Sequence, residues 1–161
     1  MADPAYIIIR NALSWYDRRD DCAYWYGAKR QVLTDDLMDY YVSAYPDHFK
    51  RYSADDLERL KRWSRGKIGF DCSGFVSACV GVNGWSSASL WARTVNRSDV
   101  REAKAGCLLY RPGHIGIDIG YGYSLDIPIE GQTIRLTRNT IPGFTYGGEW
   151  YDADYSMMDN F

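Results

Sequence analysis

Ile9, Ala12, Leu13 and Tyr16 recur on one helical face near the start of the chain. Asp3-Pro4 ahead of them has the form of an N-cap followed by proline at the first helical position. This predicts a first helix over about residues 4 to 17. From 29 to 69 charged and aromatic groups alternate, and Ser53-Ala54-Asp55-Asp56 caps a short helix through Leu57, Leu60 and Trp63. That segment reads as an inserted, mostly helical elaboration. Asp71 offers a further N-cap, and Cys72, Phe75, Val76, Cys79 and Val80 keep helical spacing up to the breaker at Gly81 to Gly84. A buried central helix is expected, with Cys72 in its first turn. After it the period changes to short strand-like runs, 107–111, 114–120, 123–129 and 132–138, separated by Pro112-Gly113, Gly120-Tyr121-Gly122 and Glu130-Gly131. Helices first and an antiparallel sheet second make an α+β fold. The tail from Gly143 to Phe161 shows no periodicity and receives no element.

Composition narrows the classes. The 161 residues, 46% hydrophobic, suffice for one full core, so residues 1–161 are read as a single domain. A formal net charge of -2 without any Lys/Arg run disfavours nucleic acid or an anionic membrane surface as a partner. Aromatic content is 16%, with 14 Tyr and 6 Trp, which suits a groove for sugars or peptides and equally a Tyr-rich core. The four cysteines form no C-x-x-C pair, and with two His in the chain a structural zinc site is not expected. Cys22, Cys79 and Cys107 are read as buried small hydrophobes. No basic n-region with a long apolar stretch opens the chain, so it is expected to carry no signal peptide and to be soluble as synthesised.

The chemistry gathers at Cys72. A helix N-terminus favours a thiolate, because unpaired amides and the macrodipole stabilise the anion, and the same amides can serve an oxyanion. Gly74 leaves room for a substrate backbone. A proton acceptor is then needed, and only two histidines exist. His48, in Tyr45-Pro46-Asp47-His48, reads as a solvated loop residue. His114 opens a strand whose Ile115, Ile117 and Ile119 share the other face. By pattern alone it is a base or a satisfied structural histidine.

Phe70-Asp71-Cys72-Ser73-Gly74-Phe75-Val76 resembles the D-C-S-G-hydrophobic signature of the NlpC/P60 family. Gly113-His114-Ile115-Gly116-Ile117-Asp118-Ile119-Gly120 is similar to its H-V-G-I-Y-I-G strand. Tyr24-Trp25-Tyr26-Gly27 and Gly106-Cys107-Leu108-Leu109-Tyr110 resemble its Y-x-W-G and G-D-L segments, with Cys107 in place of Asp. The resemblance implies a papain-like fold, Cys72 as nucleophile, His114 as base, and Tyr24 and Ser73 at the oxyanion or substrate. A third polar residue is implied beside the histidine, usually His, Asn or Gln. Asp126 takes that place here: an antiparallel return at Gly120-Tyr121-Gly122 sets it beside His114 if the pairing has no bulge. Asp118, on the same face, lies about 13 Å along the strand, too far to touch the base. The implied substrate is bacterial peptidoglycan, cut at an amide of its stem peptides, often between D-Glu and diaminopimelate or Lys, without cofactor or metal. A phage lysin, a virion-associated wall hydrolase or an injected toxin fits these expectations, a wall amidase of the same superfamily is the alternative, and a non-catalytic glycan-binding module is the alternative from another class. The 29–69 insertion is expected to form a flap beside the groove or a distant decoration.

Overall fold

The computed structural model describes residues 2–158. Strand β1 (Asp3–Pro4) precedes helix α1 (Tyr6–Asp17), followed by β2 (Cys22–Tyr24) and β3 (Lys29–Val32). Helices α2 (Asp35–Ala44), α3 (Pro46–Phe49) and α4 (Ala54–Ser64) come next, then β4 (Ile68–Phe70). Helices α5 (Cys72–Val80) and α6 (Ser87–Ala92) lead into β5 (Thr94–Asp99), β6 (Leu108–Arg111), β7 (His114–Gly120), β8 (Tyr123–Asp126), β9 (Arg135–Arg138), β10 (Tyr146–Trp150) and β11 (Ala153–Asp154). The fold class is α+β.

The main sheet has six antiparallel strands in the order β5-β10-β6-β7-β8-β9. Alternation along β7 turns Ile115 and Ile117 into the main core, which also holds Phe75 and Val76 of α5 and Ile8, Ile9 and Ala12 of α1. Helix α5 is buried on nearly every side. That explains why its sequence shows little amphipathic contrast: it is enclosed rather than laid on a surface. Its ends are built as the sequence suggests. Asp71 accepts the Gly74 amide at 2.6 Å, and the helix stops at a left-handed Gly81 (φ 84°). Ser53 likewise caps α4 by accepting the Asp56 amide.

Asp3-Pro4 is not a helix start. The pair forms β1, parallel to β11, and α1 begins after Ala5 without a side-chain cap. Strand β8 ends at Asp126 rather than 129, and β9 begins at Arg135 rather than 132. The tail that showed no periodicity supplies β10, an interior strand between β5 and β6. Its glycines hide it: a Cβ on Gly147 would lie 2.5 Å from the Ala103 Cβ, and one on Gly148 would lie 2.7 Å from the Thr94 Cβ. The neighbours occupy the space that a strand's side chains would take.

The segment 29 to 69 contains α2, α3 and α4, but it also carries β3 and most of β4. These strands join β2 in a second sheet ordered β2-β4-β3, with β2 and β4 parallel. The helices bury Met38, Tyr41 and Phe49 around Trp25, Ala28 and Leu33 in a core of their own. Parallel pairing matches Tyr24 to Phe70, which carries Tyr24 across the intervening chain to the start of α5.

Candidate active site

Cys72 opens α5 on the floor of a cleft of about 350 Å³, whose lining includes Tyr24, Tyr26, Lys29, Tyr45 and Ser73. Its thiol is nearly buried, and the Ile115 and Ser73 amides face the sulfur. The expected easing of ionisation by the helix terminus is outweighed. Burial, and then the neighbouring Asp71 carboxylate, push the thiol up to about 11, against the two amides and Lys29, which pull it down. The helix terminus alone does not supply a standing thiolate.

His114 follows the Gly113 turn at the start of β7 and is buried. Its Nε2 lies 2.6 Å from Asp126 Oδ2, and the Phe144 ring stacks flat on the imidazole, centroids 5.3 Å apart and planes 1° apart. With Nε2 committed to the carboxylate, Nδ1 is the nitrogen left for a thiol proton. The next residue, Ile115, gives its amide to Cys72, so the strand that His114 opens passes beside the sulfur. Arg135 on β9 pairs across from Asp126 and donates to both its oxygens, Nε to Oδ1 at 2.7 Å and Nη2 to Oδ2 at 3.0 Å. Burial pushes Asp126 up, but the hydrogen bonds and charges of His114 and Arg135 outweigh it and hold the carboxyl below its ordinary value. The group beside the imidazole is an anion. The proposed bulge-free pairing is not how Asp126 arrives: β7 and β8 shift register between Asp118 and Gly120.

Tyr24 is buried, lines the cleft, and stays protonated: burial and the nearby Cys72 and Glu130 raise its ionisation far beyond the working range. A protonated phenol is a hydrogen-bond donor. The Ser73 hydroxyl is not turned to the sulfur. It donates to Asp71 Oδ1 at 3.1 Å and accepts from Lys29 Nζ at 2.6 Å, leaving its backbone amide toward Cys72. Asp118 is separate from these groups, accepting from the Gly120 amide at 2.7 Å and from Asn139 at 2.9 Å. Cys22, Cys79 and Cys107 are buried free thiols, and burial raises Cys22 to about 11 and Cys107 to about 12.

His48 is not a solvated loop residue. Its Nε2 sits 2.8 Å from Oε1 of the buried Glu130, and its ring stacks on Tyr26 with centroids 4.1 Å apart. Glu130 also accepts from the Tyr52 hydroxyl at 2.7 Å and the Tyr26 amide at 2.9 Å. The sequence reading missed Glu130, Arg135 and Lys29. Arg135 alone had a signal, an arginine on the strand predicted to follow Asp126. No group of three or more His, Cys, Asp or Glu side chains among the described residues could hold a metal ion, and no helix among them is long and apolar enough to cross a membrane.

No protein-family model and no curated protein matches the sequence. Solved structures do match the fold. A hypothetical invasion protein of Mycobacterium tuberculosis aligns over 93% of this chain at 18% identity and TM-score 0.57; the chain spans 62% of that structure. The NlpC/p60 domain of the peptidoglycan hydrolase SagA aligns over 90% of this chain and 97% of its own at 23% identity and TM-score 0.52. RipD of M. tuberculosis, described as a non-catalytic NlpC/p60 domain adapted to peptidoglycan binding, aligns over 90% of this chain and 95% of its own at 17% identity and TM-score 0.54. Helices packed on an antiparallel sheet, with a cysteine at a helix start and a histidine opening a sheet strand, place this chain in the NlpC/P60 fold.

Proposed function

We propose that the protein is a cysteine peptidase that hydrolyses amide bonds in the stem peptides of bacterial peptidoglycan, with Cys72 as nucleophile, His114 as base and Asp126 as the residue that orients it. One observation carries the reading: a buried thiol at a helix start takes the amide of Ile115, the residue next to an imidazole that an anionic, arginine-braced carboxylate holds. A carboxylate on one ring nitrogen fixes the tautomer and supports an imidazolium, which is what a general base requires.

In the proposed reaction Cys72 Sγ attacks the amide carbonyl carbon while its proton passes to His114 Nδ1. The carbonyl oxygen becomes an oxyanion that the Ser73 amide and the Tyr24 hydroxyl stabilise. Collapse breaks the C–N bond, and His114 returns the proton to the leaving amine, leaving a thioester on Cys72. A water then loses a proton to His114 and attacks the thioester; collapse breaks the C–S bond, releases the acid, and His114 returns the proton to the departing sulfur, restoring thiol and neutral imidazole. Asp126 stays ionised throughout and favours the imidazolium. The bond between D-Glu and the diamino acid is the preferred candidate for cleavage.

The test is digestion of purified sacculi of several wall types, with mass spectrometry of the released fragments and Cys72→Ala as control. New termini within the stem peptide, absent with Cys72→Ala, support the reading. Cleavage at the sugar-peptide link makes the protein an amidase. Binding to sacculi without fragments makes it a wall-binding module, the role that RipD's description gives that protein.

A further inference from the structure

Lys29 reaches into the cleft from β3 and sets its ammonium on three oxygens: Asp71 Oδ1 at 2.6 Å, Asp71 Oδ2 at 2.7 Å and Ser73 Oγ at 2.6 Å. An ammonium has three N–H donors, so the seat matches its capacity. Several features of the chain serve that seat. The pairing of β3 with β4 is irregular between Lys29 and Gln31, and Arg30 there adopts a left-handed backbone (φ 71°), a combination that re-aims the preceding side chain. Gly84 leaves space for the lysine stem, since a Cβ there would lie 2.7 Å from Lys29 Cγ; a Cβ on Gly74 would lie 3.3 Å from Lys29 Cα and 2.6 Å from the Ala28 carbonyl. Gln31 Oε1 accepts the Lys29 amide at 3.0 Å and is itself held by the Tyr41 hydroxyl at 2.8 Å.

The seat answers a problem set by the helix cap. Asp71 must sit where it is to take the Gly74 amide, and that places a carboxylate one residue from Cys72. A like charge at that distance opposes an anionic sulfur. We propose that Lys29 is a positioning residue for the nucleophile: its ammonium offsets part of the Asp71 charge and fixes Asp71 and Ser73, so that an anion can form on Cys72 inside the buried first turn. The proposal rests on Cys72 being the nucleophile. The charged and titratable groups that act on the sulfur are Asp71 on its own helix cap, Lys29 from β3, and Tyr24 and Tyr26 from β2 and the turn after it; from β7 the Ile115 amide, next to His114, faces it. Within that set Asp71 pushes the thiol up and Lys29 pulls it down.

The experiment is the pH dependence of Cys72 alkylation by iodoacetamide in the intact protein, read by mass spectrometry on the Cys72 peptide with no wall substrate present. Lys29→Met is expected to move the midpoint up by about one pH unit, an approximately tenfold slower reaction near neutral pH. Lys29→Arg should retain most of the wild-type rate. Asp71→Asn, which keeps a capping side chain, should move the midpoint down, and Lys29→Met combined with Asp71→Asn should return it close to wild type. An unmoved midpoint in Lys29→Met overturns the proposal. So does a double variant as slow as Lys29→Met, which would make the lysine a purely structural tie. If Lys29→Met does not fold, Asp71→Asn decides alone: no downward move overturns the proposal. Because the readout needs no hydrolysis, a protein that cuts no wall but shows these shifts defeats the peptidase reading and leaves the role of Lys29 standing.

Discussion

Asp126 lies opposite Gly116 rather than opposite His114, and a one-residue bulge puts it there. Across the Tyr121-Gly122 turn Gly120 pairs with Tyr123; carried straight on, that register would set Ile127 against Gly116 and turn Asp126 to the other face. The shift between Asp118 and Gly120 changes the pairing to Ile117 with Leu125, so the next step sets Asp126 against Gly116. Gly116 has no side chain, and Asp126 reaches past it to the histidine while Phe144 closes over both. A Cβ on Gly116 would meet Phe144 Cζ at 2.7 Å and Asp126 Cβ at 3.2 Å. Gly116→Ala is therefore expected to push Phe144 and Asp126 away from His114, lowering kcat at least tenfold in a protein that still folds. Steady-state kinetics beside a thermal melt checks this; wild-type kcat would mean that Phe144 yields without disturbing the base.

Removing the carboxylate itself should cost more. General-base contributions run to about 10²–10⁴-fold, and Asp126→Ala is expected within that range on kcat. Asp126→Asn, which can still accept from the imidazole, should keep more activity. Near-normal turnover in Asp126→Ala would show that another group, or none, holds His114.

Arg135 separates charge from geometry. Its hydrogen bonds and charge help to hold the Asp126 carboxyl low, so Arg135→Met should raise that value while leaving the His114 bond in place. The acid limb of the kcat/KM profile should then move to higher pH, with a loss near pH 7 of about tenfold or less. An unchanged acid limb would mean that Arg135 only fills space.

Asp118 carries a pH signature of its own. Burial, against the bonds from Gly120 and Asn139, raises its carboxyl to about 6 from the ordinary 3.8. The fold therefore prefers the protonated form: its contribution is complete below pH 3.8 and is lost as pH climbs through about 6. Linkage sets that loss at about 3 kcal/mol. Asp118→Asn should remove it, because Asn139 can turn its amide and offer the otherwise unpartnered buried Oδ1 to the new side chain. The variant should melt several degrees above wild type at pH 7.5 and level with it at pH 4, with turnover retained. A variant equally destabilised at both pH values would overturn this account.

Much of the site was legible because its residues stand in short, local patterns. Asp71 before an apolar helix fixes the place of Cys72, and the alternation around Ile115 and Ile117 fixes the face of His114. What stayed hidden depends on contacts distant in sequence. Lys29 meets Asp71 across 42 positions and Glu130 meets His48 across 82, and neither has a periodicity. Strand β10 went unseen because Gly147 and Gly148 remove the alternation that marks a strand. The face of Asp126 was reached for the wrong reason, since a bulge leaves no mark on hydrophobic patterning.

Glu130 joins the inserted helices to the cleft. It is wholly buried and accepts from three directions: Tyr26 N–H in the cleft wall, Tyr52 O–H after α3, and the His48 imidazole on α3. His48 in turn stacks on Tyr26, and Tyr26 meets Tyr45 edge to face with centroids 5.0 Å apart. Tyr26 and Tyr45 both line the cleft, so the wall on this side is only as fixed as the carboxylate behind it. Glu130→Gln replaces one acceptor oxygen by an N–H₂ group, which must face a donor on one side or the other. Leaving buried donors unpaired costs about 1–3 kcal/mol each, so a total near 3 kcal/mol is expected. For a chain of this size that lowers Tm by about 6–12 °C. The chemical groups at Cys72 and His114 are not touched, so the kinetic loss should fall on KM, with kcat changed less. Tyr45→Ala removes one face of the wall without disturbing Glu130, and it should raise KM while leaving Tm near wild type. The check is a melt and a Michaelis profile for each variant on one soluble stem-peptide fragment. If both variants keep the wild-type KM, the inserted helices do not border the bound substrate and the segment is a decoration.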